Sequence, residues 1–357
     1  MQKMDGQNYA PEGKPQPVCK QGECIVGVIG LDHGHIYGMC NGLSEAGADI
    51  AYVYDPDPKK MEAFVAKFPT AKVGLSKQEL LENPSIQLVA TAGIPCDRGP
   101  LGLEALDHGK DFFADKPPFT TQAQVDQARK KVAQTGRKWF VYYSERLHVE
   151  SAVYAERLLN EGAIGNIVSI RGWGPHRLAA PTRPAWFFEK EKYGGILVDI
   201  GSHQLEQILQ FSGSEDAELV SSRVGNLYHP EYPGLEDFGD ACFTASNGIP
   251  CYFCLDWFTP DGLGTWGDGR IFIVGTKGYI ELRKYIDVAA SKEGDHVILV
   301  NEKGEQHFRV GGKVGFPYFG RLIRDVLDRT ETAMKQEHTF RAIELAIEAQ
   351  TKAVRIR

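Results

Sequence analysis

Apolar residues along this chain come in two periods. Short runs at Ile25–Ile29, Asp49–Tyr54, Gln87–Thr91, Asp111–Ala114 and Lys138–Tyr142 have the length of buried strands, with a shorter one at Ala71–Gly74. Helical spacing separates them: after Gly30, over Lys59–Phe68, over Ser76–Leu81 with its serine cap, over about Leu101–Asp107, and over Gln122–Gln134. Strands alternating with helices predict βαβ units and a parallel sheet. The pattern then changes. Glu150–Asn160 reads as a helix and Ile167–Trp173 as a strand. Strand-like runs follow without helices between them, at Leu219–Val224, Ala241–Ala245, Cys251–Phe258, Arg270–Val274, Tyr279–Arg283, His296–Val300 and His307–Val310. Asn247-Gly248 is a hairpin signal, so this half predicts an α+β domain on a large, mostly antiparallel open sheet. Helices over Tyr318–Leu327 and Thr339–Lys352 finish it. The expected division is an N-terminal extension (1–23), a parallel-sheet domain (24–142) and an α+β domain (143–357).

Bulk properties narrow the class. A length of 357 residues suits two domains, and 42% apolar with 24% charged residues is ordinary for a soluble globular chain. A net charge of −7 excludes the basic footprint of a nucleic-acid binder, and no apolar run is long enough to span a bilayer. The N-terminus lacks the apolar core of a secretory signal, and its Pro, Gly, Gln and Lys content reads as a loose extension. Seven scattered cysteines predict reduced thiols and a cytoplasmic protein. Cys251 and Cys254 form a lone C-x-x-C inside an apolar run and read as buried strand cysteines rather than a zinc site.

Parallel sheets bind ligands at the carboxyl ends of their strands. The first such end is Gly30-Leu31-Asp32-His33-Gly34-His35. A dinucleotide fingerprint wants G-x-G-x-x-G there; Asp32 stands at the second glycine and His35 at the third. The helix that follows still offers N–H groups and a dipole to a phosphate. Asp32 is expected to cap that helix, with His33 or His35 toward a cofactor; Asp32, His33 and His35 on a metal is a remote alternative. Asp55 ends the second strand about 25 residues on, where an acid takes the adenosine ribose 2′-OH. Its rival role is that of a turn residue in Asp55-Pro56-Asp57-Pro58, and Lys59 and Lys60 leave room for a 2′-phosphate. Lys116, between Asp115 and the rigid Pro117, is either poised over the cleft or an exposed loop lysine.

A second centre is Gly194–Gly213, GGILVDIGSHQLEQILQFSG. Asp199 and His203 lie four apart, which puts both on one face of a helix as a carboxylate–imidazole acid/base pair. The bland alternative is a helix cap and a satisfied histidine. The preceding proline-punctuated loop carries His176, Arg177, Arg183, Trp186, Phe187 and Phe188. These side chains suit stacking on a sugar ring or pairing with a carboxylate, or else the loop packs its own aromatics.

With Asp115-Lys116-Pro117 and Gly194-Gly195-Ile196-Leu197-Val198-Asp199-Ile200-Gly201-Ser202-His203 in place, the sequence resembles the glucose–fructose oxidoreductase/inositol dehydrogenase (Gfo/Idh/MocA) family. The first motif matches its Glu-Lys-Pro with Asp for Glu. The second matches GGG-x-L-x-D-x-G-x-H with Tyr193 at the first glycine. Gly109-Lys110 and Glu161-Gly162-Ala163-Ile164-Gly165 are flanking likenesses, and the resemblance runs from about Cys24 onward. Where the family often has Pro-Asn and a later His after Thr91, this chain has Ile94-Pro95 and Arg98.

The resemblance implies an N-terminal Rossmann domain and a cytoplasmic NAD-dependent dehydrogenase of a sugar, polyol or related hydroxy compound, with NADP as the alternative cofactor. It implies Lys116, Asp199 and His203 as catalytic residues. The expected cofactor contacts are Gly30, His33, Gly34, Asp55, Thr91, Asp115 and Lys116, and the expected substrate contacts are His176, Arg177 and Trp186. No metal, nucleic acid or membrane is expected, and the second-domain sheet is expected to pair with another subunit. Two other readings are carried: a redox-neutral enzyme that retains NAD (a glycosidase or sugar transhydrogenase), and a non-catalytic dinucleotide- or sugar-binding regulator. A metal-dependent hydrolase using Asp199 and His203 is a remote further one.

Overall fold

In the computed structural model, which describes residues 5–357, every apolar run of the first 142 residues is a strand. Strands β1 (Ile25–Ile29), β2 (Asp49–Tyr54), β3 (Lys72–Val73), β4 (Leu88–Thr91), β5 (Asp111–Asp115) and β6 (Trp139–Tyr142) alternate with helices. The helices are α1 (His35–Glu45), α2 (Pro58–Lys67), α3 (Lys77–Glu82), α4 (Pro95–Asp107) and α5 (Gln122–Thr135). Local chemistry explains their starts. Asp57, Ser76 and Thr121 each accept a backbone N–H of the first turn of α2, α3 and α5. Helix α4 begins earlier than the apolar spacing suggests, because Pro95 occupies its first turn, where no N–H is needed.

The six strands pair in parallel in the order β3-β2-β1-β4-β5-β6, the doubly wound Rossmann arrangement. Its order reverses beside β1, so the ends of β1 and β4 open a cleft. The compact unit built on this sheet comprises Gln7–Tyr142 and Phe316–Phe340. The extension is not loose there. Gln16 and Val18 donate backbone N–H groups to Glu45 and Ala46, Gly13 donates to the Glu45 carboxylate, and Asn41 donates to Pro11. Gly38 lets it approach: a Cβ there would lie 3.2 Å from the Tyr9 carbonyl and Ala10 Cα. Residues 1–4 of the expected extension lie outside the described residues.

The rest of the chain supplies α6 (Ser144–Leu147), α7 (Glu150–Asn160), β7 (Ile167–Pro175), α8 (Lys190–Tyr193), α9 (Ile196–Asp199) and α10 (Gly201–Ser212). Strands β8 (Ala217–Gly225), β9 (Phe238–Ala245), β10 (Pro250–Asp256), β11 (Arg270–Gly275), β12 (Gly278–Arg283), β13 (His296–Asn301) and β14 (Gly304–Arg309) follow. Helices α11 (Pro317–Asp328) and α12 (Gln336–Lys352) and strand β15 (Val354–Arg355) end it. The second compact unit holds residues 5–6 among its described N-terminal residues, with Tyr143–Gly315 and Arg341–Arg357.

Its sheet has nine strands, ordered β14-β13-β12-β11-β7-β10-β9-β8-β15. The pairs β7–β10 and β8–β15 are parallel and the others antiparallel. Burial alternates along β7: Ile170, Gly172 and Gly174 point inward, while Arg171 and Trp173 are exposed. Helix α10 packs on the inner face at β7, β9 and β10, and α7 packs at β12 and β13. Cys251 is buried and Cys254 half-buried, three residues apart on opposite faces of β10. Burial pushes their thiols up to about 12 and about 11. No helix among the described residues is long and apolar enough to cross a membrane.

Candidate functional site

In the Rossmann unit, Gly30 ends β1 with φ +85°, and a Cβ there would lie 3.1 Å from the Thr91 hydroxyl and 3.2 Å from Gly93 Cα. Glycine is therefore required twice, for the dihedral and for the close approach of two loops. His33 donates its N–H to Ala92 at 2.8 Å, and Thr91 accepts from Gly93 at 3.1 Å, joining the loops after β1 and β4. Asp55 is buried and accepts from the N–H of Leu31 at 2.7 Å and of Asp57 at 2.9 Å. Its carboxylate thus closes the turn after β2 while facing the β1 loop, so the two roles weighed for it are compatible.

Asp32 does not cap α1. Gly34 is the N-cap, with no side-chain bond, and Asp32 pairs with Lys60 at 2.6 Å. That ammonium lies 3.9 Å from Asp55. An acid at the second-glycine position is thereby neutralised. A cavity of about 500 Å³ opens here, lined by Gly30, Asp32, Asp55, Lys60, Thr91 and Leu101 among others.

Asp115 ends β5 with no solvent exposure. It accepts from His35 at 3.0 Å and from Arg98 at 3.1 Å. Burial pushes its carboxyl up, but the His35 and Arg98 charges overrule that and hold it well below the usual range. His33 and His35 therefore gather on Asp115, not on Asp32. The His33 ring takes the His35 N–H at 3.2 Å through Nδ1, and burial lowers its pKa. Arg98, in α4, also donates to the carbonyls of Gly93, Lys116 and Pro117. Lys116 is nearly buried, so it is not an exposed loop lysine. Arg98 was visible in sequence only as a departure; the role of a buried arginine is set by carbonyls that no motif displays.

In the second unit, Gly194 and Gly195 have φ of +90° and +97°. They turn the chain into α9, whose first N–H groups at Ile196 and Leu197 bond Glu236 and Gln350 at 3.0 Å each. Any Cβ at Gly195 would strike Gln350. The expected single helix is interrupted at Ile200, so Asp199 closes α9 and His203 lies in the first turn of α10. His203 is buried, edge-on to Tyr143 at 6.4 Å.

Around it runs a polar network that the sequence did not announce. Glu145 accepts from Lys284 at 2.8 Å and from Gln204 at 3.0 Å, and Lys284 donates to Gln207 at 2.7 Å. Burial pushes the Glu145 carboxyl up, but Lys284, then His203 and His176, bring it down to about 2. Arg146 forms a buried ion pair with Glu206 in the same layer. The only sequence signal was charged residues directly after strands β6 and β12.

The loop 176–188 packs much of its own chemistry. His176 donates Nδ1–H to Gly174 at 3.0 Å and lies against Trp257 and Trp266. Arg177 donates through one guanidinium nitrogen to the carbonyls of Pro260 and Leu263. Arg183 donates to Leu178 and Arg177 and lies over Phe187 and Trp257; burial lowers it to about 10. Trp186 is nearly buried beside Phe187. Asp5 joins the loop from the N-terminus, accepting from Thr182 at 2.6 Å, and Gly6 packs against His176 and Trp266.

Residues 24–143 match the oxidoreductase family with an NAD-binding Rossmann fold, and residues 153–281 match the GFO/IDH/MocA C-terminal domain. The chain belongs to the Gfo/Idh/MocA family. A crystal structure of a protein described as an oxidoreductase, from Erwinia carotovora atroseptica SCRI1043, is 48% identical over 94% of this chain and all of that one, with a TM-score of 0.91. The scyllo-inositol 2-dehydrogenase (NAD(+)) of Bacillus subtilis (strain 168) is 26% identical over 214 residues; the match spans 60% of each chain. Levoglucosan dehydrogenase, solved with NADH and levoglucosan, shares the fold at a TM-score of 0.74 and 18% identity, over 92% of this chain and 97% of that one.

The Glu145–Lys284 pair gives a first prediction. A carboxyl lowered from 4.5 to about 2 by folding stabilises the protein above the unfolded value and loses that contribution as pH falls toward 2. Glu145→Gln should cost on the order of 3 kcal/mol at pH 7, leaving Lys284 buried without its counter-charge. Denaturant titrations of both proteins should converge as pH drops below about 4.5. A pH-independent difference would assign the loss to packing.

Proposed function

We propose that this chain is an NAD-dependent dehydrogenase acting on a hydroxyl-bearing carbon of a sugar, polyol or related compound. The observation that carries the reading is the pairing, in one chain, of a Gly30–Asp55–Thr91 cleft that fits a dinucleotide with a buried His203 above the Glu145–Lys284 network. The cleft fits in detail. Gly30 leaves room for close backbone approach, and Asp55 offers the remaining lone pairs of its carboxylate to a ribose diol. Gly30, His33, Gly34, Asp55, Thr91, Asp115 and Lys116 would hold the cofactor. A nicotinamide bound there would supply the acceptor for hydride from carbon.

The chain's own residues supply the rest. His203 takes the hydroxyl proton on oxidation and returns it on reduction. Lys116 stabilises charge on the reacting oxygen, its backbone fixed by Arg98. Asp199 binds a neighbouring hydroxyl or orients His203. Substrate contacts come from the loop that holds His176 and Trp186, with Asp5 added at its edge; Arg177 serves to fix that loop. The anionic Asp32 and Asp55 around Lys60 disfavour a 2′-phosphate, which supports NAD over NADP. The exposed face of the nine-stranded sheet, with Trp173 43% exposed and Phe272 stacked on Tyr279, suits a second copy of the chain.

A screen of polyols and sugars with NAD and with NADP tests the central reading. NAD should be the better cofactor, and His203→Asn should lower turnover by ~10²–10⁴ with NAD affinity and melting temperature nearly unchanged. Unchanged turnover in that variant would remove His203 from the chemistry.

The sheet face is tested by sedimentation. The wild type should associate at micromolar concentration and Trp173→Glu should shift it toward monomer. A monomeric wild type would overturn the pairing.

A further inference from the structure

The second unit also brings two imidazoles and a carboxylate together. Asp287 lies in the turn after β12, His296 opens β13, and His307 lies on β14. In the β13–β14 register His296 faces Arg309 and His307 faces Ile298, so the two histidines are diagonal neighbours on one face of the hairpin. His296 Nδ1 and His307 Nε2 are 3.0 Å apart, and one potential ligand atom from each of the three residues lies within 4.8 Å of the others.

Tautomers make this pair informative. His296 Nε2 is 2.9 Å from the Glu293 carbonyl, which can only accept, so Nε2 carries a proton. A neutral His296 then presents a lone pair at Nδ1, toward His307. An imidazole whose far N–H is held by a backbone carbonyl is the usual arrangement of a metal-bound histidine. Asp287 has one oxygen engaged: Oδ1 accepts from Arg283 at 2.8 Å and from Ala289 at 3.1 Å, while Oδ2 accepts nothing among the described residues. Arg283 is itself balanced by Glu281 at 2.8 Å.

The other histidine–carboxylate group, His33, His35 and Asp115, makes the contrast. There the His33 Nδ1 lone pair takes a backbone N–H, and both Asp115 oxygens are occupied by His35 and Arg98. That group is complete as a hydrogen-bond network; the Asp287 group is not.

We propose that His296 Nδ1, His307 Nε2 and Asp287 Oδ2 bind one divalent ion of the zinc class, with water completing its shell. Two nitrogens and one carboxylate oxygen are a zinc-type donor set. Two nitrogens on a tetrahedral zinc at ordinary bond length are about 3.3 Å apart, close to the spacing found. On binding, the His307 proton resides on Nδ1, and His307 is exposed. The ion ties the edge strand β14 to the turn 287–291, a structural role independent of hydride chemistry.

The test is calorimetric titration of the chelator-treated full chain with Zn²⁺, repeated with Co²⁺ to read its visible absorption. His307→Gln serves as the main variant because its exposure makes misfolding unimportant, and Asp287→Asn as the second. The wild type should bind one ion per chain and melt higher with Zn²⁺. His307→Gln should melt like the metal-free wild type and bind at least about tenfold more weakly. Absence of binding, or equal binding by wild type and His307→Gln, would overturn the site and leave the two imidazoles as a hydrogen-bonded pair.

Discussion

The Rossmann unit is organised around one buried negative charge. Asp115 has no exposure, and a lone carboxylate there would cost several kcal/mol. It persists because Arg98 and His35 both reach it. Arg98 adds donors to Gly93, Lys116 and Pro117, so the loops after β4 and β5 are set by a single guanidinium. His35 brings in the start of α1. Three loops at the carboxyl ends of three strands thus share one electrostatic constraint, and Lys116 inherits its place from it. This also accounts for the altered fingerprint. His35 stands where a glycine would leave Asp115 without its second partner, and Asp32 is tolerated because Lys60 meets it.

The second unit solves a similar problem beneath His203. Glu145 Oε2, Lys284, Gln204 and Gln207 bond one another in a buried layer, and Arg146 with Glu206 continues it, while Glu145 Oε1 has no partner among the described residues. Such networks are stiff when complete and costly when broken. Placed under α10, this one fixes the rotation of the helix that carries His203. The glycine pair before α9 acts separately, by admitting Gln350 and Glu236 to the helix start.

Much of this was legible from residues alone. The alternation of β1 to β6 with helices follows from short apolar runs and polar amphipathic spacers, and the antiparallel half follows from runs with no helix between them. Asp115-Lys116-Pro117 and the Asp199/His203 motif locate the family. What the sequence concealed was long-range: Arg98 on carbonyls near residue 116, Lys284 on Glu145, and Asp5 on Thr182. Those partners are far apart in sequence, and no spacing rule connects them. The break at Ile200 and the ordered extension along α1 were hidden for a related reason. Helical periodicity does not register a one-residue interruption, and a segment rich in Pro and Gly looks loose until the groove that holds it is known.

The central claim is that this fold moves a hydride between substrate carbon and a nicotinamide. It is tested most directly by incubating the purified chain with NAD and sugars or polyols deuterated at their carbinol carbons, then analysing the released cofactor by mass spectrometry. The account predicts reduced nicotinamide heavier by one deuterium, whether the cofactor is exchanged or retained through a redox-neutral cycle. Product formed with no deuterium on the nicotinamide at any time in a single turnover would contradict it.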